Sequence, residues 1–325
     1  MKDSKRNQLI QLLAKHEEDY ISGQTLSDKL GISRTAVWKH INELKKDGYQ
    51  FESAPRKGYK LIHRSSDLSE SSIKWDLQTN WVGQKVYFQE EMDSTQDYAH
   101  RLARKNAEHG TVVITNKQKK GRGRMNRSWE SNHPEGIWIS ILLRPDTPPH
   151  HASQMTLFTA VSIVESLRLI TNADIQIKWP NDLYLNGKKI CGILTEMQAE
   201  LDQIDYLIIG FGINVNQTLA TFPEDLKNKS TSLSIETGKE WNRKELIQII
   251  LENFEDHYHH YLENGFHHTK QKWMNYAYKL NEKVEVKTPK SHYSATIQGI
   301  NDEGALIVKK ENQQLETIYS AEIHW

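Results

Sequence analysis

The sequence predicts an α+β protein built from three consecutive parts. A basic segment with helically spaced apolar residues opens the chain, strand-like and helical runs alternate through its middle, and a tail of alternating apolar residues closes it. At 325 residues the chain has room for two or three domains, at about 150 residues for a typical one. We therefore expect a helical module, a module of strands and helices, and a small β-barrel, in that order.

The composition excludes several classes of protein. Hydrophobic residues make up 37% and charged residues 26% of the chain, which is typical of a globular protein. No run approaches the roughly 18 consecutive apolar residues of a membrane helix, and the N-terminus lacks the apolar core of a secretory signal. Cys191 is the single cysteine, which excludes an intramolecular disulfide and is consistent with a reducing compartment. We therefore expect a cytoplasmic protein with no membrane partner.

Charge is distributed unevenly along the chain. Residues 1–66 carry 13 basic and 8 acidic side chains, so this segment has a net charge of +5 in a chain whose total is zero. A basic module ahead of an acidic body favours contact with a polyanion such as nucleic acid. An ordinary solvated charge excess is the alternative that charge alone leaves open.

Two short helices are predicted inside the basic segment. The first runs from Ser22 to Gly31, a glycine typical of a helix C-terminus, and the second follows Ser33, which can cap it. Apolar residues at 37, 41 and 44 recur at helical spacing, so they face the first helix. The residues left facing outward are Arg34, Thr35, Trp38, Lys39 and Asn42. An aromatic residue on such a helix packs more often than it reads bases, so packing is the expectation for Trp38.

A hairpin is predicted at 49–61, with a basic tip at 55–58 that can contact phosphates. The segment 5–61 therefore resembles the winged helix-turn-helix of bacterial repressors, in which the second helix enters the major groove. The resemblance implies DNA contacts by Ser33, Arg34, Thr35, Lys39, Arg56 and Lys57. A winged helix used only for protein contacts is the alternative.

A serine-rich stretch at 64–72 has little to bury and is predicted to be a linker. Beyond it, strands are predicted at 85–90, 111–115, 136–143 and 206–215, and helices at 94–105, 153–170, 241–262 and 266–278. The tail from 281 to 325 is predicted to form a small β-barrel of hairpins. Histidines on or beside the last two helices are predicted to lie on solvated faces and not to bind metal: His257, His259, His260, His267 and His268.

The strongest chemical signal is a basic loop from Lys117 to Trp129. It holds six basic residues and two glycines, and it has no acidic residue. Glycines let backbone amides approach an anion, and arginines offer planar donors to carboxylates and phosphates. The loop is thus predicted to be a flexible anion clamp, although a nucleic-acid patch or a solvated loop could have the same composition. It lacks the Gly-Lys-Ser/Thr ending of a nucleotide-binding P-loop.

Two further segments carry polar residues at predicted strand ends. Asn181 and Asp182 follow a proline, and Lys189 lies near the start of the next strand, where it can neutralise a phosphate or a carboxylate. At 210–216, small residues leave room for a ligand beside two asparagines. Cys191 is predicted to be a small buried strand residue and not a nucleophile.

In combination these motifs resemble those of biotin–protein ligases. The matching residues are Asp93–Gln96, Gln118, Gly121–Arg124, Arg127, Trp129, Lys178–Asp182, Lys188–Leu194 and Gly210–Asn216. With the winged helix in front, the chain resembles the bifunctional bacterial enzymes that also repress the biotin operon. The resemblance implies a winged helix-turn-helix at 1–65, a mixed-sheet ligase domain of the biotin/lipoate type at 73–280, and an SH3-like β-barrel at 281–325.

The activity that the resemblance implies is an ATP-dependent ligation. The carboxylate of biotin attacks the α-phosphate of ATP to give biotinyl-5′-AMP, and a lysine of a biotin carboxyl carrier domain then takes the biotin. The implied carriers are those of acetyl-CoA carboxylase and pyruvate carboxylase, and Mg²⁺ accompanies ATP. The adenylate is also implied to be a corepressor that orders the basic loop, promotes a homodimer and places two winged helices on the operator DNA of biotin genes.

The same resemblance implies roles for individual residues. Biotin would contact Ser94, Thr95, Gln96, Gln118, Arg122, Gly123, Arg124, Lys189 and Gly192. ATP and the adenylate would contact Arg124, Arg127, Trp129, Lys189 and Asn214. Catalysis is assigned to Lys189, Arg124, Arg127 and Asp182, and Mg²⁺ to Asn181 and Asp182. Joining two anions requires cations and no covalent enzyme intermediate, which agrees with these residue types.

Two residues depart from the family pattern. Gln96 stands where asparagine is more usual, so its contact with biotin does not follow from the resemblance, and Asn126 replaces a frequent glycine and could stiffen the loop. Two other functions stay open. One is a lipoate or octanoate ligase on a related fold, which Gln118 and the Gly-Arg-Gly-Arg loop disfavour. The other is a non-enzymatic repressor that only senses biotin, which Lys189 and Asp182 disfavour.

Overall fold

The structure is a computed structural model, and its contacts divide the chain into two compact units, Met1–Gln78 and Thr79–Trp325. It describes residues 5–14, 19–46, 49–55, 57–63, 68–75, 77–200, 202–288 and 291–324. Arg56, one of the predicted DNA contacts, lies outside the described residues.

The first unit is a helix-turn-helix followed by a two-stranded wing. Its elements are α1 (Lys5–Ala14), α2 (Gly23–Leu30), α3 (Arg34–Lys46), β1 (Gln50–Ala54), β2 (Gly58–His63) and α4 (Glu70–Lys74). The hydroxyl of Ser22 accepts the Thr25 amide at 3.0 Å, which caps α2, and Gly31 ends α2 in the left-handed region at φ 62°. These signals lie in the local sequence, and the predicted helix-turn-helix and wing are confirmed.

The core of the first unit comes from the residues that the helical spacing selected. Leu26 and Leu30 of α2 are buried against Val37, Ile41 and Leu44 of α3. Because Val37, Ile41 and Leu44 lie on the buried face of α3, its opposite face is left to solvent.

The predicted linker at 64–72 was wrong at its C-terminal end. Helix α4 begins after Ser69, whose hydroxyl accepts the Ser72 amide at 3.0 Å in a capping box. Leu68, Ile73 and Trp75 are buried, and the Trp75 ring stacks on Tyr49 with centroids 5.8 Å apart. Trp75 thus joins this segment to the core of the first unit, and the three apolar residues were too sparse to form a local pattern.

The second unit is built on a seven-stranded mixed sheet. Its strands are β3 (Val86–Met92), β4 (Thr111–Gln118), β5 (Ile137–Leu143), β6 (Gln176–Lys178), β7 (Asp182–Leu185), β8 (Lys188–Glu200) and β9 (Gln203–Ile213). The strand order is β3-β4-β5-β9-β8-β7-β6, and the β3–β4 pair is parallel while the other pairs are antiparallel. The predicted mixed-sheet α+β fold is confirmed.

Helices cover this sheet. They are α5 (Thr95–Ala103), α6 (Ala152–Thr171), α7 (Leu233–Thr237), α8 (Arg243–Asn264) and α9 (His267–Tyr276). Helix α6 is buried along most of its length, and its Phe158 ring packs on Phe254 of α8 with centroids 4.9 Å apart. The four predicted helices of this region are therefore found, with ends shifted by one or two residues.

A five-stranded antiparallel sheet ends the chain. It contains β10 (Lys283–Lys287), β11 (His292–Ile300), β12 (Leu306–Lys310), β13 (Leu315–Ile318) and β14 (Glu322–His324), in the order β13-β12-β11-β10-β14. Several hydrogen bonds join it to the rest of the second unit: among them, Trp179 Nε1 donates to the Gly304 carbonyl at 3.0 Å, and Gln154 donates to the Asp302 carbonyl at 2.7 Å. Strand β14 lines the same cavity as the turn at 179–181.

None of the helices in the described part of the chain combines the length and the apolar character that a bilayer crossing requires.

Candidate functional site

A cavity of about 260 Å³ lies in the second unit. Its walls come from the start of α5, the basic loop after β4, the turn at 179–182, strands β8 and β9, and the end of β14. Most of the residues predicted for the biotin and nucleotide sites line it: Ser94, Thr95, Gln96, Gln118, Arg122, Gly123, Arg124, Arg127, Trp129, Asn181, Asp182, Lys189 and Gly192. Residues scattered over a hundred positions thus share one cavity.

One end of the cavity is a polar floor, formed by Thr95, Gln96, Gln118 and Ser140. The side-chain oxygen of Gln118 accepts from the Thr95 amide at 2.8 Å and from the Thr95 hydroxyl at 3.1 Å. The Ser140 hydroxyl lies 2.9 Å from Thr95 Oγ1 and 3.0 Å from Gln96 Oε1. All four are buried, so these neutral groups are fixed by one another. Sequence reasoning missed Ser140, although a serine in the apolar run of β5 was a visible signal.

Gln96 is held beneath this floor by its own hydrogen bonds. Its amide nitrogen donates to the Ile208 carbonyl at 3.2 Å. Gly210 makes room for it, because a Cβ at that position would clash with Gln96 Oε1. The glutamine that departs from the family pattern is therefore accommodated, and its contact with biotin stays a prediction.

Lys189 and Asp182 face each other at the middle of the cavity. Their Nζ and Oδ1 atoms are 2.7 Å apart. The two residues come from the β7–β8 hairpin, in which the register shifts between Leu183 and Tyr184. The main chain of Lys189 is held on its other side, since its amide donates to Lys229 and its carbonyl accepts from Thr231. The lysine is thus presented from a rigid strand.

The basic loop forms a short hairpin. Its strands are closed by hydrogen bonds from the Trp129 amide to the Gly121 carbonyl at 2.9 Å and from the Gly123 amide to the Arg127 carbonyl at 2.7 Å. At its tip Met125 and Asn126 adopt left-handed backbone angles, φ 55° and 58°. Asparagine tolerates this region, which explains how it replaces a glycine, whereas methionine adopts it at a cost. Ordering of the loop by a ligand stays a prediction.

The cations that line the cavity form a second group, called here the cationic wall: Arg122, Arg124, Arg127 and Lys189. The guanidinium of Arg122 pairs with Asp97 and Glu196, and that of Arg127 pairs with Glu322. Arg124 donates to Asn181 Oδ1 at 3.0 Å, and its burial lowers its pKa. Each member of the wall therefore already has an oxygen acceptor that an incoming anion would replace.

The indole of Trp129 lies against strands β8 and β9. A Cβ on Gly212 would clash with its Nε1 atom, and a Cβ on Gly192 would lie 3.1 Å from its ring. Lys189 Nζ is 5.2 Å from the ring centroid. Among the described residues the Nε1 group, although buried, has no hydrogen-bond acceptor. The two glycines are what allow an aromatic ring to lie this close to β8 and β9.

Asn214 is not brought to the cavity. It is buried directly after the end of β9, where its amide donates to the Thr231 carbonyl at 3.0 Å, and it is not among the residues that line the cavity. Its contact with adenine stays a prediction.

Two cavity residues had no role in the sequence prediction. Burial lowers the pKa of Lys178 to about 8, with Asp182 opposing the shift and Lys189 adding to it, and its Nζ lies 3.2 Å from the Tyr184 hydroxyl. Glu322 comes from β14. Lys178 could have been singled out because it opens the Lys-Trp-Pro-Asn-Asp motif, whereas Glu322 carries no local signal.

In the described part of the chain, no group of three or more His, Cys, Asp or Glu side chains is placed so that it could hold a metal ion. His259, His260 and His267 are exposed as predicted. His257 is buried, which contradicts the prediction, because its ring lies 2.8 Å from Glu165 of α6. Cys191 is buried as predicted, and burial raises its pKa.

The outer face of α3 is the second candidate site. The Ser33 hydroxyl accepts the Ala36 amide at 3.1 Å and so caps the helix. Arg34, Thr35 and Lys39 are exposed on α3, as is Lys57 on the wing. Trp38 is 58% exposed, so the expectation that it packs was wrong.

Three domain families match the chain. The biotin/lipoate A/B protein ligase family matches residues 88–214, an HTH domain matches residues 5–60, and the biotin protein ligase C terminal domain matches residues 279–324. Together with the cavity and the helix-turn-helix, these matches define the class of protein: a ligase of the biotin/lipoate type joined to a DNA-binding unit.

Known proteins narrow this class. The bifunctional ligase/repressor BirA of Bacillus subtilis (strain 168) is 45% identical over 323 residues, 99% of each chain. The biotin–[acetyl-CoA-carboxylase] ligase of Paracoccus denitrificans is 29% identical over 67% of this chain and 91% of its own. The structure of a biotin protein ligase from Aquifex aeolicus in complex with biotin and ATP is similar at 32% identity and a TM-score of 0.65, covering 74% of this chain and 97% of that one.

The chain belongs to the family of bifunctional ligase/repressors, since the identity to the Bacillus subtilis protein extends over almost its entire length. It is thus a biotin–protein ligase with the DNA-binding unit of a repressor.

Proposed function

We propose that the cavity binds biotin and ATP end to end, and that Lys189 joins their reacting groups. The observation that carries this proposal is that one cavity holds both a neutral polar floor and a cationic wall, and that in the wall Lys189 Nζ is held 2.7 Å from Asp182. The neutral donors and acceptors of the floor suit the uncharged ureido ring of biotin. The cations of the wall suit a carboxylate and a triphosphate.

In the first step the biotin carboxylate attacks the α-phosphate, a new C(=O)O–P bond forms, and pyrophosphate leaves. The obstacle is repulsion between two anions, and the cations of the wall offset it. Lys189 is placed to contact both anions, while Arg124 and Arg127 meet the phosphates. Trp129 covers the adenine, and Asn214 binds it if the indole moves away from Gly212.

In the second step the amine of a carrier lysine attacks the carbonyl carbon of biotinyl-5′-AMP. An amide bond forms, the bond to AMP breaks, and the amine loses a proton. Asp182 is the carboxylate nearest to Lys189 and is proposed to accept that proton or to orient the amine. Mg²⁺ takes oxygen ligands and is usually held by one or two carboxylates together with substrate phosphates. Asp182, with Asn181 beside it, fits that description and would hold the ion.

The protein substrates are proposed to be biotin carboxyl carrier domains. The Paracoccus denitrificans relative is named as a ligase of acetyl-CoA carboxylase, which supports this carrier for the present chain. The carrier domain of pyruvate carboxylase is the second proposed substrate. We place the protein in the cytoplasm, where these carriers, ATP and DNA occur together.

The first unit is proposed to act on the operator DNA of biotin genes. With biotinyl-5′-AMP bound, the basic loop rearranges, the chain forms a homodimer, and two α3 helices meet the two halves of a palindromic operator. Sedimentation and operator binding, each measured with and without biotinyl-5′-AMP, test this coupling. Unchanged sedimentation and unchanged affinity would contradict it.

The ligase reaction is tested by transfer of labelled biotin to a purified carrier domain with ATP and Mg²⁺. We expect transfer that requires both cofactors and releases pyrophosphate. Unlabelled lipoate added in excess should not compete, which separates this function from a lipoate ligase. Pyrophosphate release without biotin transfer, or no release at all, contradicts the proposed reaction.

A further inference from the structure

The outer face of α3 presents an apolar ring where a DNA-binding helix meets its target. Trp38 is 58% exposed, whereas Val37 and Ile41 on the same helix are completely or almost completely buried. Exposing an indole to water forgoes the burial of one of the largest apolar side chains. The free energy of burying such an indole becomes available when an apolar group of a binding partner covers it.

Trp38 stands in the middle of the helix face that points away from the core. Thr35 lies three positions before Trp38, and Asn42 lies four positions after it. Lys39 is four positions from Thr35 and three from Asn42, so all four residues lie on one face. Lys39 and Thr35 are exposed and Asn42 is half-buried. Trp38 is therefore a central residue of the predicted DNA contact.

The ring also borders an open groove of about 830 Å³ between α3 and the wing. Arg34, Thr35 and Trp38 form its helix side, and Ser53, Ala54 and Pro55 form its wing side. Lys57 is exposed on the wing beside Pro55 and Ala54. A polyanion can lie against these cations and present its interior to Trp38.

The interior of a B-DNA major groove contains one apolar group, the 5-methyl group of thymine. An indole has a flat apolar face that suits this methyl, and it offers one N–H donor beside it. We propose that Trp38 reads thymine methyl groups in the major groove and so determines part of the sequence specificity of the DNA-binding unit. This inference rests on the DNA-binding function proposed above.

Cationic neighbours distinguish DNA from a protein partner as the occupant. Arg34 and Lys39 flank Trp38 on α3, and Lys57 lies on the wing. These side chains would contact phosphates, which carry no sequence information, while Trp38 would supply discrimination between bases. A protein that docks on Trp38 is the other outcome of the test.

The test is a double-mutant cycle that measures DNA affinity with and without the Trp38 side chain and with and without one thymine methyl group. The full chain, with biotin and ATP, selects a duplex from a randomised library, and each thymine of that duplex is then replaced by uracil, which lacks only the methyl. Wild-type protein is expected to lose about three- to fivefold in affinity at one or two thymines in each half-site, as expected for one buried methyl. Trp38→Ala is expected to bind the thymine and uracil duplexes equally.

Three controls define the result. Lys39→Ala should lower the slope of log affinity against log salt by about 1, and Trp38→Ala should leave that slope unchanged. Ile62→Ala removes another exposed apolar residue, 51% exposed on β2, and should keep the thymine preference. Biotin transfer should be unchanged in all three variants.

The outcomes separate the inference from the function on which it rests. If wild-type protein selects no duplex, the proposed DNA binding fails. If it selects one and Trp38→Ala retains the full thymine preference, the assignment of Trp38 is overturned. If Trp38→Ala instead impairs biotin transfer or dimer formation with unchanged DNA affinity, Trp38 is a protein contact and the inference is wrong.

Discussion

The polar floor and the cationic wall of one cavity are prepared in opposite ways. The floor is buried, and its neutral groups bond mainly to one another, with Ser140 2.9 Å from Thr95. The wall is partly open: the side chains of Arg122 and Arg127 are 39% and 67% exposed, and both pair with carboxylates. A neutral ring requires donors held at fixed positions. Anions bring their own charge and can displace a carboxylate that occupies their place.

The difference between floor and wall reflects the free-energy cost of preparing each of them for its ligand. An unsatisfied neutral group in a buried floor costs free energy in the folded protein, so its partners must be built in. Half-exposed cations lose little when their carboxylate partners are exchanged, because such pairs contribute only about 0–1 kcal/mol. Substitutions in the floor should therefore affect stability as well as binding, and substitutions in the wall should affect mainly the reaction.

The largest effect is expected from Lys189→Ala. Removing the cation between the two anions should lower the rate of biotinyl-5′-AMP formation about 100- to 1,000-fold, as for other groups that stabilise developing charge. Biotin-dependent pyrophosphate exchange measures this rate. Lys188→Ala, which removes the neighbouring lysine of β8, should stay within about twofold of wild type. Equal rates for Lys189→Ala and wild type would remove the assigned role.

Ser140→Ala tests the floor. It removes the hydroxyl that contacts the buried oxygens of Thr95 and Gln96, so we expect a loss of about 1–3 kcal/mol in the free energy of unfolding and weaker biotin binding. The matched control is Ser162→Ala: among the described residues, the buried hydroxyl of this serine has no hydrogen-bond partner. Its removal should be nearly neutral. Urea unfolding compares the two, and equal losses would show that the floor is not held by these bonds.

The pH dependence of the reaction tests the charge of Lys178, which also lines the cavity. Because burial lowers the pKa of Lys178 to about 8, the free protein loses this cation as the pH rises through that value. We expect kcat/KM for ATP to fall about three- to tenfold between pH 7 and 9. In Lys178→Met this fall should be absent and the pH 7 value already low.

Stability should move in the other direction. Between pH 8 and the ordinary lysine pKa of 10.5, the unfolded chain holds the proton that the folded chain has lost, so the free energy of unfolding rises with pH. Thermal unfolding at pH 7.5 and 9.5, compared between wild type and Lys178→Met, measures this part of the change. A wild-type stability difference equal to that of the variant contradicts the assignment.

The smallest effect is expected from Glu322→Gln. Its carboxylate holds Arg127, so removing the charge should free the arginine and lower KM for ATP about 1.5- to fivefold. Glu316→Gln is the control, since Glu316 is also ion-paired in the C-terminal sheet but does not line the cavity. An increase in KM for ATP would mean that Glu322 assists the phosphates and does not merely occupy their place.

The sequence predicted much of this arrangement because its strongest signals are local. Ser22 caps α2 with its hydroxyl, and Gly31 ends it by adopting left-handed backbone angles. The spacing of Val37, Ile41 and Leu44 orients α3. The composition of the basic loop, with six basic residues and no acidic one, predicts that it binds anions. Leu68, Ile73 and Trp75 gave no comparable pattern, so α4 was mistaken for a linker.

By itself the sequence determined which residue types the protein has for its chemistry and on which short elements they lie. The tertiary structure decided which of them meet: Ser140 joins the floor through the pairing of β5 with its neighbours, Glu322 reaches Arg127 across 195 positions, and Asn214 is buried against Thr231 and does not line the cavity. Local spacing sets the face on which a side chain points. Strand order and register, which follow from burying the whole core at once, set what that face meets.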